Sequence, residues 1–317
     1  MAITLADEMR VEKDPLRKGV IQNLRMSSPI AELATIRNIN DLHTADLRWK
    51  TLPSVGFRGL NEGYTESSGT TDRVPVDLAF IGGDFDIDMQ LMSNDAASID
   101  MAATQLEMKQ KALAYAVNNY FINGDAATDQ RQFNGLKAIL AQLSSSQTIS
   151  AATDGLDVRA SGTDADRYTF LDKLDECIWQ VHEHRPDVLL MNEQTYRGVR
   201  SLLRRLKLLD TSRDQFDREI ETYRGVRLVD IGFASDDATL IIPNNETQGA
   251  GGANFTSIYA VRFGDAYTSL IQKGGIQVRR IGELETKPVM RTRVEWAIAV
   301  GCVHKASIAR LKGFRFV

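Results

Sequence analysis

The chain has 317 residues, enough for a large buried core and roughly one to three domains. Hydrophobic residues make up 43% and charged residues 25%, an ordinary globular balance, and a net charge of -4 excludes a protein whose whole surface grips nucleic acid. The two cysteines, Cys177 and Cys302, each lie among apolar neighbours. Two isolated thiols make neither a metal cluster nor a disulfide framework, so both are expected to be reduced core residues.

Asp7, Glu8, Arg10, Glu12, Lys13 and Asp14 make the first residues unlike a secretory leader. Apolar runs such as Trp296 to Val300 fall far short of the roughly 20 residues a membrane span needs, so a soluble protein is expected. Residues 1–46 mix charges with short apolar groups, punctuated by Pro15, Gly19 and Pro29. Ile21 and Leu24 recur at helix spacing, yet the stretch reads as an arm that orders against something else.

From Leu47 to Met89 the pattern is a long two-armed β excursion. Its first arm is Arg48 to Arg58, and its second alternates Val74, Val76, Leu78 and Phe80, then Phe85, Ile87 and Met89. Asn61 to Asp72 between them is a polar, glycine-broken tip, so the hairpin has little core of its own and must rest on a neighbouring surface.

A long helix is predicted over residues 93–120, capped by Ser93 or Asn94. Ile99, Ala102, Leu106, Leu113, Val117 and Tyr120 share one stripe, interrupted by Gln110, and Gly124 suits a left-handed cap. A short segment follows at Phe133 to Leu140, then a loop rich in Ser, Thr and Ala. A second helix runs over 168–184 with Leu171, Leu174, Ile178 and Val181 inward, and Pro186 stops it before a buried strand, Val188 to Met191. Asn192 caps a third helix with Val199, Leu202, Leu203 and Leu206 on its apolar side. Strands are expected at 226–229, 239–242 and 257–263, which makes this region an α/β subdomain. In the last fifty residues Thr292, Val294, Trp296 and Ile298 alternate on one strand face, with 276–281 as partner strand.

Few motifs ask for chemistry. Asp84, Asp86 and Asp88 alternate with Phe85, Ile87 and Met89, a strand face in preference to a cation loop, which needs glycine where Met89 stands. His182 and His184 are two apart and diverge on a helix, so a polar helix terminus is favoured over a metal pair. Arg197, Arg200, Arg204 and Lys207 form a basic stripe. Solvation, or ion pairs with Asp210, Asp214, Asp217 and Glu219, is favoured there over nucleic-acid contact. Gly249 to Gly252 lacks the Lys-Ser/Thr of a phosphate loop. No catalytic, metal or cofactor-binding residues are assigned, and no cofactor is expected.

The order of elements (arm, hairpin, long helix, α/β insert, closing sheet) resembles the major capsid proteins of tailed phages, the Hong Kong 97 fold family shared with encapsulin shells. The likeness covers nearly the whole sequence. It is carried by Leu52-Pro53-Ser54-Val55-Gly56-Phe57-Arg58 with Asn61-Glu62-Gly63, by Tyr120 to Asp125 with Asn134-Gly135-Leu136, and by Ala306 to Gly313. It implies an α+β fold with an N-terminal arm (1–46), an extended E-loop (47–89), a peripheral domain with a spine helix (90–128), an axial domain (129–270) and peripheral closing strands (271–317).

That resemblance implies a structural subunit, not an enzyme, assembling with itself into pentamers and hexamers of an icosahedral phage head. The head would be built in the host cytoplasm and enclose double-stranded DNA, held non-specifically. Arg58, Glu62, Tyr64 and Glu66, at or near the E-loop tip, are the expected inter-subunit contacts. A separate scaffolding protein, a portal and a cement protein are the further partners, with no membrane. Some members of the family join subunits by a lysine–asparagine isopeptide bond. Here Lys50 is the only lysine between Leu47 and Met108, and no asparagine follows Asn254, so a non-crosslinked shell is expected. An encapsulin-type compartment and a soluble α/β enzyme with an unrecognised site are the alternatives.

Overall fold

The structure, a computed structural model, describes residues 4–92, 97–159, 162–213, 219–234 and 239–316. The chain opens with helices α1 (Leu5–Val11), α2 (Pro15–Ser27) and α3 (Pro29–Leu33), then strand β1 (Ile36–Asn38). Thr4 and Asp7 form a reciprocal capping box on α1, and Ser28 caps α3 in front of Pro29. Leu5, Val20, Ile21, Leu24, Ile30 and Ala31 are buried in the chain's own core. An arm waiting for an external surface is therefore not what forms. The apolar residues of these short helices find enough area on the same chain, and Pro15 and Pro29 act as first-turn residues of α2 and α3.

Strands β2 (His43–Thr51) and β3 (Thr70–Asp77) pair antiparallel as an isolated two-stranded hairpin. Strand β4 (Ala79–Asp88) belongs elsewhere, to a four-stranded sheet, which corrects the expectation of one continuous second arm reaching Met89. After α4 (Met89–Met92), the spine α5 (Ala97–Asn123) runs 27 residues, about 40 Å at 1.5 Å per residue. Ser93 and Asn94, the expected caps, lie outside the described residues. Gln110, which interrupts the apolar stripe, is buried and accepts a 2.7 Å hydrogen bond from Asn23 of α2.

Gly124 has no left-handed backbone. It is needed for close approach: its amide reaches Tyr120 O and its carbonyl accepts from Gly135 N at 2.8 Å, while a Cβ on either glycine would strike the Tyr120 carbonyl. These contacts fold the chain back into α6 (Leu136–Gln142) and the short strands β5 (Thr148–Ser150) and β6 (Leu156–Asp157).

Helix α7 (Asp164–Gln180) starts at a Thr163–Asp166 capping box, and β7 (Val188–Met191) leads to α8 (Glu193–Arg205), where Asn192 accepts from Thr195 N at 2.8 Å. Strands β8 (Asp210–Arg213), β9 (Glu219–Tyr223) and β10 (Val226–Asp230) follow. The strand expected at 239–242 is reduced to an isolated bridge between Phe233 and Leu240, with Ile241 and Ile242 serving as buried loop residues. Then come β11 (Glu246–Thr247), β12 (Ala253–Val261), β13 (Thr268–Leu284), β14 (Lys287–Cys302) and β15 (Ile308–Arg315).

Two sheets organise the molecule. The smaller runs β1-β13-β14-β4; the larger follows β5-β15-β12-β7-β10-β9-β8. Because strand residues alternate faces, Val188 and Leu190 of β7 enter one core with the spine, while Leu189 and Met191 enter a second core with Phe170, Leu174, Val199 and Leu203 of α7 and α8. Val294, Trp296 and Ile298 are buried along β14, and both cysteines are buried.

Candidate assembly surface

The β2–β3 hairpin is held at its root and bare at its end. Arg48 donates from Nε to the Cys302 carbonyl at 2.8 Å, and Asp46, nearly fully buried, accepts from Arg37 Nη2 at 2.5 Å. The first bond fixes the root to the end of β14 and the second fixes it to β1. Strand pairing ends at Thr51 and Thr70, and the span between them carries no strand.

The expected first arm, Arg48 to Arg58, keeps its strand only as far as Thr51, and the apolar residues beyond it, up to Leu60, precede the polar tip of 61–72. Val55, Phe57 and Leu60 are 96%, 108% and 96% exposed, with Leu52 and Tyr64 also largely open. Burying such side chains is worth about 1.5–3 kcal/mol each, a gain this conformation forgoes. Scattered exposed apolar residues are ordinary, but several on one projecting loop mark a surface built to be covered.

The tip nevertheless has local shape. Gly59 N donates to Glu62 Oε2 at 3.0 Å, Arg58 Nη1 donates to the Glu62 carbonyl at 3.3 Å, and the Arg58 guanidinium stands 5.4 Å from the Tyr64 ring centroid. Of the four residues expected at or near the tip, hydrogen bonding and ring contact bring Arg58, Glu62 and Tyr64 together, and Glu66 is exposed. Sequence reasoning used Val55 and Phe57 only in the motif that carries the resemblance and left them, with Leu60, out of the expected contacts; their signal is apolar residues in a segment with little core of its own.

The other singled-out residues fall elsewhere. Asp84 and Asp86 on β4 face β14, where each carboxylate takes two hydrogen bonds from one arginine: Arg293 to Asp84 at 2.7 and 2.8 Å, Arg291 to Asp86 at 2.7 and 2.6 Å. Those hydrogen bonds hold both carboxyls below the usual carboxylate range. Asp88 instead accepts from Gln90 N at 2.8 Å.

His182 and His184 lie beyond the end of α7, with Glu183 and His184 in left-handed backbone, so the expected helical terminus is broken. Arg197 pairs with Glu193 and Arg200 with Glu221, not with the acidic residues expected; Asp214 and Asp217 lie outside the described residues. The Gly249–Gly252 loop is turned against Asp154, whose Oδ1 accepts from Ala250 N at 3.0 Å. Burial pushes the Cys177 thiol up to about 12 and raises that of Cys302, which leaves both poor nucleophiles. Among the described residues no group of three or more His, Cys, Asp or Glu side chains could hold a metal.

Arranged this way, the chain has the Hong Kong 97-like fold of phage capsids and encapsulins. The family model described as "Major capsid protein GP7" matches residues 13–167, so the resemblance to tailed-phage major capsid proteins holds in sequence as well as in fold. Among solved structures, the chain is similar to the SrpI encapsulin of Synechococcus elongatus, with 15% identity over 92% of this chain and 91% of that one and a TM-score of 0.65. It is similar to the capsid of a native GTA particle, with 16% identity, 91% of each chain and a TM-score of 0.64. It is also similar to a chain of Microbacterium phage Oxtober96, with 11% identity, 90% of each chain and a TM-score of 0.55. At these identities the likeness establishes the fold. No curated protein sequence matches the chain.

Proposed function

We propose that the chain is a structural, non-catalytic major capsid protein that assembles with itself into the pentamers and hexamers of an icosahedral phage head around double-stranded DNA. The observation that carries this reading is the exposed apolar row Val55, Phe57 and Leu60 on a hairpin anchored at its root. A neighbouring copy that covers the row supplies the missing burial, so subunit order and assembly become linked. Copies related by closed symmetry repeat that modest contact many times. The match to a major capsid family favours a phage head over the encapsulin alternative, because the fold is common to both.

The domain division follows the fold family: an N-terminal segment to residue 46, an E-loop over 47–89 whose last strand, β4, joins the four-stranded sheet, a peripheral domain made of 90–128 with 271–317, and an axial domain over 129–270. Arg58, Glu62, Tyr64 and Glu66 contact the neighbouring subunit together with the apolar row. Scaffolding, portal and cement proteins are separate partners, and assembly takes place in the host cytoplasm. The shell is not crosslinked: Lys50 lies on β2 beside Asp72 at 3.5 Å, and no asparagine follows Asn254.

The test is the content of purified particles formed with a candidate scaffold and a packaging system. Nuclease-protected double-stranded DNA supports the phage reading. Particles that retain a co-expressed enzyme and no DNA support the encapsulin reading.

A further inference from the structure

The chain passes between its two sheets along Arg262–Tyr267, which joins β12 to β13, and along Val303–Ser307, which joins β14 to β15. Both crossings lie against the link between α7 and β7, and two of the chain's four histidines meet there. The rings of His182 and His304 stack with centroids 4.2 Å apart and planes inclined by 39°. Tyr267 lies 5.8 Å from the first ring and 6.2 Å from the second, and the Arg262 guanidinium sits over Tyr267 at 3.9 Å.

Hydrogen bonds tie the three segments into one knot. His182 N donates to Ala306 O at 2.7 Å, Arg262 N to Ser307 O at 2.9 Å, Val303 N to Tyr267 O at 2.9 Å, and Arg262 Nη1 to His182 O at 2.8 Å. Ala306 N lies 3.1 Å from His304 Nδ1, which must accept that bond and so carries no proton in this arrangement.

We infer that this cluster is an acid-operated latch: with a neutral His304 ring accepting from Ala306 it fastens the two crossings to the α7–β7 link, and protonation of His304 releases the larger sheet to move relative to the smaller. A proton on His304 Nδ1 points a donor at the donor of Ala306 and ends that bond. Protonating His304 also places a second positive charge near the Arg262 guanidinium.

The charged neighbours on every segment set the balance. The α7–β7 link carries Glu183, His184, Arg185 and Asp187; the first crossing carries Arg262 and Asp265; the second carries Lys305. Glu183 is shared, paired with Arg262 at 2.9 Å and 3.9 Å from His182 Nε2, and Asp187 accepts from Phe263 N at 2.7 Å. His184 faces away from the stack, bonded to the Trp179 carbonyl at 2.6 Å.

Burial, then His182, then Arg262 hold the His304 imidazole below its ordinary value. A base with a depressed value in the latched state takes up protons on release. The latch is therefore intact above the ordinary imidazole value, near about 6.5, and weakens as pH falls through that value and the lower latched one.

The test is hydrogen exchange on the full-length protein at about pH 7.5 and about pH 5, with each rate divided by the intrinsic rate at that pH. Protection of the His182, Val303, Ala306 and Ser307 amides falls about tenfold or more in the wild type. His304→Asn keeps an acceptor where Nδ1 stands and cannot titrate, so its protection is equal at both pH values. Should that variant not fold, His182→Gln serves, because it removes the facing ring and shrinks the acid effect. Wild-type protection that is unchanged over the window overturns the latch. So does a loss in either variant as large as in the wild type.

Discussion

Asn23 donates from Nδ2 to Oε1 of Gln110 at 2.7 Å, a polar bond between α2 and the spine within an otherwise apolar contact. A buried amide that loses a hydrogen-bond partner bears a desolvation penalty. Asn23→Ala, which strands Oε1 of the buried Gln110, is therefore expected to cost about 1–3 kcal/mol, while Asn23→Leu with Gln110→Leu recovers most of that loss. Urea titration of the unassembled subunit checks both. Equal destabilisation by the single and the double variant would contradict the pairing.

A second buried relay joins the closing sheet to the N-terminal helices. Trp296 Nε1 donates to Gln272 Oε1 at 2.7 Å, and Gln272 Nε2 donates to Glu8 Oε2 at 2.8 Å. Trp296→Phe strands the Gln272 oxygen and leaves space in the core, for an expected loss of about 2–4 kcal/mol. Thermal unfolding measures it, and an unchanged melting temperature would refute the account.

Phe57 makes no use of its ring within the subunit. Phe57→Asp is expected to leave subunit stability within about 0.5 kcal/mol of the wild type, while assembly is lost. Sedimentation velocity paired with a melt separates the two effects. Shells formed at wild-type yield would remove Phe57 from the interface.

Acid titration reads the β4–β14 ladder. Hydrogen bonds from Arg293 and Arg291 depress the carboxyls of Asp84 and Asp86, so their contribution is complete above the ordinary carboxylate value, about 4, and is lost as pH falls through the lower folded values. Asp84→Asn with Asp86→Asn should flatten the decline of melting temperature on acidification. Parallel curves for variant and wild type would count against the ladder.

Lys50 supplies a chemical check. Purified particles boiled in denaturant are expected to run as a single band of 35.3 kDa. A ladder of multiples would show covalent joining and overturn the non-crosslinked reading.

Much of the fold is written locally. Asn192 before the Val199–Leu202–Leu203 stripe reports α8, and the alternation through Val294, Trp296 and Ile298 reports β14, because cap and period act within a few residues. Partner choice is not local. The alternation from Val74 to Ile87 is equally good in one arm or two strands, and only pairing with β14 divides β4 from β3. Helix spacing at Ile21 and Leu24 was visible, but nothing nearby says that the surface they bury is the chain's own spine. The candidate surface divides the same way. Its charged residues stand out by type, whereas Phe57 declares itself only when nothing is found packed on it. The His182–His304 stack, joining segments far apart in sequence, left no signal in the local pattern.

The most direct test of the central claim is electron microscopy of the purified protein, with particle mass from light scattering. Closed shells, tubes or ring-shaped capsomers built from the 35.3 kDa chain are the expected result. A protein that stays monomeric at high concentration, with a candidate scaffold supplied, would contradict it.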